Sequence, residues 1–140
     1  MKKWFILACM CFLVTPTIAQ TCNGGTPVKS NTTATNPDCS ADTCNGHEFC
    51  KSNNGMNWWS AFAWCESQGR KLASTATMCP HTSPAANDNA GDCPNLQGVG
   101  DDQYVWSTLV YSDTHVATVN LSTGSLHSGK RTYDFFAFCE

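Results

Sequence analysis

A small, disulfide-stapled α+β domain is the fold class that this chain predicts, and three observations carry it. One stretch near residue 60 has helical periodicity, the last third is a series of short β-branched and aromatic runs, and the cysteines left after an export leader are even in number. A chain of 140 residues supports one domain with a modest core, plus segments outside it.

The leader comes first in the chain. Lys2 and Lys3 precede an apolar run from Trp4 to Val14, and the small residues Thr17 and Ala19 suit cleavage after Ala19. The run is too short to span a membrane comfortably, so 1–19 reads as a secretory signal peptide. No later stretch is apolar enough to cross a bilayer. The expected location is therefore secreted or cell-surface, with the periplasm also open, and without membrane insertion after cleavage.

Cleavage removes Cys9 and Cys11, which takes ten cysteines to eight (10 − 2). In an exported chain of this size an even set reads as a disulfide framework. A zinc site is the alternative, but no CxxC pair and no HxxxH partner accompanies the cysteines, so neither a metal nor a cofactor is expected. The formal charge of −3 becomes −5 without Lys2 and Lys3 (−3 − 2), which argues against a phosphate-binding surface and excludes nucleic acid as a partner.

The mature chain divides unevenly. Residues 20–46 are rich in Thr, Asn, Gly and Pro, carry Cys22, Cys39 and Cys44, and contain almost no large apolar side chain. Such a segment forms no core alone, and reads as either a stapled N-terminal extension or a flexible stem. The pairing of Cys22, Cys39, Cys44 and Cys50 stays open. The folded domain is expected over 47–140, where the aromatics arrive.

Spacing predicts the helix. With Asn57 as N-cap, Trp58, Ala61, Phe62 and Cys65 fall at i, i+3, i+4 and i+7, one apolar stripe with the cysteine inside it. Gly69 sits where a left-handed residue ends a helix, and Arg70 and Lys71 lie near its negative end. Trp59 and Trp64 flank the stripe on opposite sides. Packing under neighbouring loops is preferred for both over a ligand platform, given the area that each indole would otherwise expose.

A further helical turn is expected at 75–78, before Cys79. Residues 80–103 are loop-like, and long for a connection without a tie. Cys79 and Cys93 supply one: a bridge would close a loop of about fifteen residues, worth roughly 3 kcal/mol in the chain-entropy model. Strands are expected at 104–111, 116–121, 125–127 and 135–139, separated by Ser-Asp-Thr, Ser-Thr-Gly and Ser-Gly-Lys turn signals. In the last of them Phe135, Ala137 and Cys139 share one face while Phe136 and Phe138 share the other. Both faces are apolar, which places this strand centrally in an antiparallel sheet.

Three segments together resemble a known family. NWWSAFAWCESQGRKLAS at 57–74 resembles the first-helix motif of C-type lectin-like domains, FAFCE at 136–140 their closing motif, and YVWST at 104–108 the strand that carries their core tryptophan, here Trp106. FCKSNNGMNWW at 49–59 is similar to the first strand and turn of compact bacterial members. The resemblance covers about 47–140. It implies a long first helix packed on a small looped antiparallel sheet, with Cys65 bonded to Cys139; that closure would be worth about 4 to 5 kcal/mol in the same entropy model.

Departures from the family bear on function. The Glu-Pro-Asn or Gln-Pro-Asp loop and the Trp-Asn-Asp strand of its calcium-dependent sugar binders are missing, and only about 33 residues separate Trp106 from Cys139 (139 − 106). The long loop that bears such a site therefore has no room, and the second disulfide near the last strands is absent as well. Asn87-Asp88-Asn89 with Asp92, or Asp101-Asp102, offers hard oxygen ligands, but not the spacing of an EF-hand. His47, His81, His115 and His127 are scattered, and neither a zinc-protease motif nor a Gly-x-Ser-x-Gly elbow exists. The chain is thus expected to be non-catalytic.

Two classes of function follow. The leading one is a secreted recognition or adhesion module that binds an extracellular protein or glycan without calcium, through turns of the middle strands. Candidate contact residues are Tyr111, Asp113, His115, His127, Lys130, Arg131 and Tyr133, each of which reads equally as a solvent-facing turn residue. The other class is a structural subunit of an extracellular surface assembly. Asn31-Thr32-Thr33 and Asn120-Leu121-Ser122 are glycosylation acceptors in a eukaryotic secretory pathway only.

Overall fold

The computed structural model describes residues 22–31, 47–79 and 93–140; the leader, Cys39, Cys44 and the Asn87–Asp92 ligand set lie outside the described residues. Six strands form one sheet: β1 (Gly25–Lys29), β2 (Glu48–Met56), β3 (Tyr104–Val110), β4 (His115–Asn120), β5 (Leu126–Lys130) and β6 (Phe135–Cys139). Their order is β1-β2-β6-β3-β4-β5. The helix α1 (Trp58–Ser67) follows β2, and the short α2 (Thr75–Met78) and a 3-10 turn at Pro94–Leu96 lie between α1 and β3.

The expected helix forms for the expected reasons. Asn57 caps α1 by accepting a hydrogen bond from the Ser60 amide at 3.0 Å, and Gly69 takes a positive φ of 68° just past the end. Ala61 and Cys65 are fully buried, with Trp58 and Phe62 packed beside them. α1 spans ten residues, so it is shorter than the long helix that the family resemblance implies. At the helix end the Arg70 amide donates to the Cys65 carbonyl at 3.0 Å, and its Nη1 donates to the Glu48 carbonyl at 3.2 Å.

The sheet is mixed, which corrects the antiparallel sheet expected from the strand pattern. β3 and β6 run parallel, paired at Val105 and Phe136, while all other neighbouring pairs are antiparallel. The cause is the placement of the last strand. With both faces apolar it inserts between β2 and β3, and its entry from β5 leaves it running alongside β3. Further on the two strands part to admit 71–73: the Ala73 amide donates to the Phe138 carbonyl at 2.8 Å, and the Thr108 amide donates to the Ala73 carbonyl at 3.1 Å.

β6 divides the core. Ala137 and Cys139 face α1 in a cluster with Leu72, Trp106 and Val116, and Phe138 lies in the second cluster with Phe49, Met78, Leu96, Val119 and Leu126. Trp106 is wholly buried, and its indole N–H donates to the Met56 carbonyl at 2.7 Å. A buried indole of this kind keeps its one polar atom satisfied.

Among the described residues, three disulfides fix the layers. Cys65–Cys139 joins α1 to the end of β6, Cys79–Cys93 closes the long connection, and Cys22–Cys50 ties β1 to β2. The strand Gly25–Lys29 lies within the 20–46 segment, so the sheet begins upstream of residue 47. Sequence patterning missed it because Val28 is the only large apolar side chain in the strand; backbone pairing to β2 and the Cys22 link hold it. Trp64 packs against it: a Cβ on Gly25 would lie 2.9 Å from the indole Cη2. The disulfides fit an oxidising compartment. Among the described residues no helix is long and apolar enough to cross a membrane.

Candidate functional site

Three chain segments converge at the start of α1. The turn after β3, the turn after β5 and the first helical turn are joined by Arg131. Its backbone carbonyl accepts from the Trp58 amide at 3.1 Å, its own amide donates to the Thr114 carbonyl at 3.0 Å, and its Nη2 donates to the Ser112 carbonyl at 3.0 Å. The guanidinium also lies over the Trp58 ring, 4.6 Å from the centroid, a cation–π contact. Trp58 is held in turn by its Nε1, which donates to the Ser107 carbonyl at 2.9 Å.

This junction leaves an open cleft of about 390 Å³. Trp59 forms one wall, Asp113, Thr114 and His115 another, and Lys130, Arg131 and Thr132 the third. Trp59 is 53% exposed, against the packed position expected for it. Its place beside Trp58, off the stripe that Ala61 and Cys65 bury, explains this: the core claims Trp58 and turns the next side chain outward.

Four of the seven sequence candidates, Asp113, His115, Lys130 and Arg131, line this one cleft. Tyr133 is half exposed in the adjoining turn, with the Lys130 ammonium 5.9 Å from its ring centroid. Tyr111 and His127 lie elsewhere: Tyr111 packs partly buried against the core, and His127 meets the Tyr104 ring edge-on at 5.3 Å. Trp59, Thr114 and Thr132 are the lining residues that sequence reasoning left out of its candidates. The signal for Trp59 was its position off the helical stripe.

Much of the cleft's hydrogen-bonding capacity is already engaged. The Thr114 hydroxyl and His115 Nδ1 are paired at 2.8 Å, and the Ser112 hydroxyl accepts from the His115 amide at 3.1 Å. Trp59, Asp113, Thr114, Lys130 and Thr132 all face solvent. A second recess, of about 450 Å³, lies between Phe62, Leu72 and Glu140 and contains none of the candidate residues.

Among the described residues, no three His, Cys, Asp or Glu side chains gather as a metal site would require. At the Asp101-Asp102 pair, Asp102 Oδ1 accepts from the Asn120 side-chain amide, and Lys51 interacts electrostatically with Asp101. Asn120 is itself buried, and its Oδ1 accepts from the Ser122 and Thr123 amides at 2.9 and 3.1 Å. The chain matches no protein-family model and no curated protein.

Proposed function

We propose that the chain is an exported, non-catalytic recognition module of C-type lectin-like fold, which binds an extracellular protein or glycan without calcium through the Trp59 cleft. The Cys65–Cys139 staple, the buried Trp106 and the central last strand support the fold. One observation carries the function: a half-exposed indole stands among Asp113, His115, Lys130 and Arg131, on a junction that hydrogen bonds hold rigid. Exposed aromatic and Arg side chains held in this way are what binding surfaces use for anchoring.

The test is a combined glycan and protein array, probed with the oxidised mature protein with and without a chelator. Binding should survive chelation, and Trp59→Ala should weaken it tenfold or more. Chelator-sensitive binding, or binding indifferent to Trp59, would overturn the reading. A stable polymer in size exclusion would turn it toward a structural subunit.

A further inference from the structure

We infer that the partner of the Trp59 cleft is a protein, engaged through a short acidic segment that places an apolar side chain on the indole and a carboxylate on Lys130; this rests on the recognition function proposed above. Charge is the first argument. The whole chain is acidic at −3, yet the cleft gathers Lys130 and Arg131 against the single carboxylate of Asp113. A local excess of cations on an acidic molecule selects an anionic partner and steers its approach.

The second argument is what the cleft still offers. A sugar is held by several hydrogen bonds fixed around its ring, but here the Thr114 hydroxyl and His115 Nδ1 satisfy one another, and Arg131 Nη2 is spent on the Ser112 carbonyl. The Trp59 ring and the Lys130 ammonium are exposed there, beside the Asp113 carboxylate and the Thr132 hydroxyl. Tyr133, also half exposed, follows Thr132 of the cleft in the chain, so the surface presents Trp59 and, in the adjoining turn, Tyr133. These two residue types concentrate binding energy at protein interfaces. Asp113, also in the cleft, repels a misplaced acid and so restricts where the segment's carboxylate lies.

The probe is a displayed library of random twelve-residue peptides, panned against the oxidised mature protein and counter-selected on the Trp59→Ala variant. Enriched peptides should carry Asp or Glu next to an aromatic or aliphatic residue. Lys130→Ala should weaken them about tenfold, the scale of a lost hydrogen bond to a charged group. Asp113→Asn should tighten them two- to threefold, and added salt should weaken them. These three side chains are exposed, so the variants keep the fold, and near-UV circular dichroism checks that they do. Failure to enrich peptides that depend on Trp59, enrichment of neutral or basic sequences, or an unchanged affinity in Lys130→Ala overturns the inference. If a glycan then binds the cleft and Trp59→Ala abolishes it, the recognition function stands and only the partner class is wrong. If no ligand of any kind depends on Trp59, both fall.

Discussion

Ser52 fills a ladder position that the backbone cannot. β2 bulges against β6 between Lys51 and Gly55, which leaves the amide of Ala137, a fully buried residue, without a strand partner; the Ser52 hydroxyl accepts from it at 2.9 Å and donates to the Asn54 carbonyl at 2.8 Å. Ser52→Ala should therefore destabilise the domain by about 1–3 kcal/mol, the cost of an orphaned buried donor. Urea unfolding measures it, and a loss below about 0.5 kcal/mol, the level of an ordinary surface change, would contradict this role. Lys51, next to it, is a different case. Burial pushes its pKa below the usual lysine range, the Asp101 carboxylate partly opposes the shift, and the ammonium lies 4.2 Å from the Phe136 ring centroid. Between that lowered pKa and about 10.4 the unfolded chain holds more protons than the folded one, so Lys51's contribution to stability rises with pH across that window. Below the window its desolvation penalty is present in full. Lys51→Met keeps a contact with Phe136, and should gain on the wild type at pH 7 but lose part of that gain by pH 10. Paired urea melts decide it: an advantage that grows with pH would refute burial as the dominant cause.

The return from β5 to β6 shows how one element depends on another. A Cβ on Gly129 would stand 2.7 Å from Phe135 Cε2 and 2.9 Å from Thr118 Cγ2, so a bare backbone in β5 is what lets Phe135 pack beside Trp106, 4.8 Å between ring centroids. Gly129→Ala should cost about 1–3 kcal/mol by overpacking, read from the thermal midpoint; an unchanged midpoint would mean that the rings have room to move. The legibility of the elements divides along similar lines. Helix α1 was readable because its N-cap, stripe and terminal glycine all act within one stretch of chain, and β6 was readable as central because alternation put apolar side chains on both of its faces. The parallel pairing of β3 with β6 was not readable, since it depends on where β6 inserts among strands far apart in sequence. β1 escaped notice because a backbone ladder and Cys22 hold it without an apolar pattern. The candidate cleft was legible by halves: turn chemistry pointed to Asp113, His115, Lys130 and Arg131, which the fold brings together, but only the packing of Trp58 shows that Trp59 faces outward beside them.

At the scale of the molecule, the disulfides rank by the chain they close. Cys65–Cys139 spans 74 residues, Cys22–Cys50 spans 28 and Cys79–Cys93 spans 14. Loop entropy gives about 4–5 kcal/mol for the longest, roughly 3.5 for the second and about 3 for the shortest. The shortest bridge lies inside the longest, which reduces the outer loop to an effective 60 residues (74 − 14), but the logarithm moves by only about 0.2 kcal/mol. Packing does not separate the long bridge from the short one, since Cys65, Cys139, Cys79 and Cys93 are all buried and lose the same sulfur atoms to alanine. A difference between those two double variants therefore reports loop length together with what the ends hold. For Cys65–Cys139 the ends hold most of the architecture: α1 on one side, and on the other the strand whose two faces feed both core clusters. The Cys65→Ala/Cys139→Ala protein should accordingly unfold at the lowest urea concentration, below Cys79→Ala/Cys93→Ala by a margin equivalent to at least 1 kcal/mol. Equal midpoints, or the reverse order, would mean that the backbone bonds of 71–73 to β6 already secure the last strand, and that the covalent tie adds little to them.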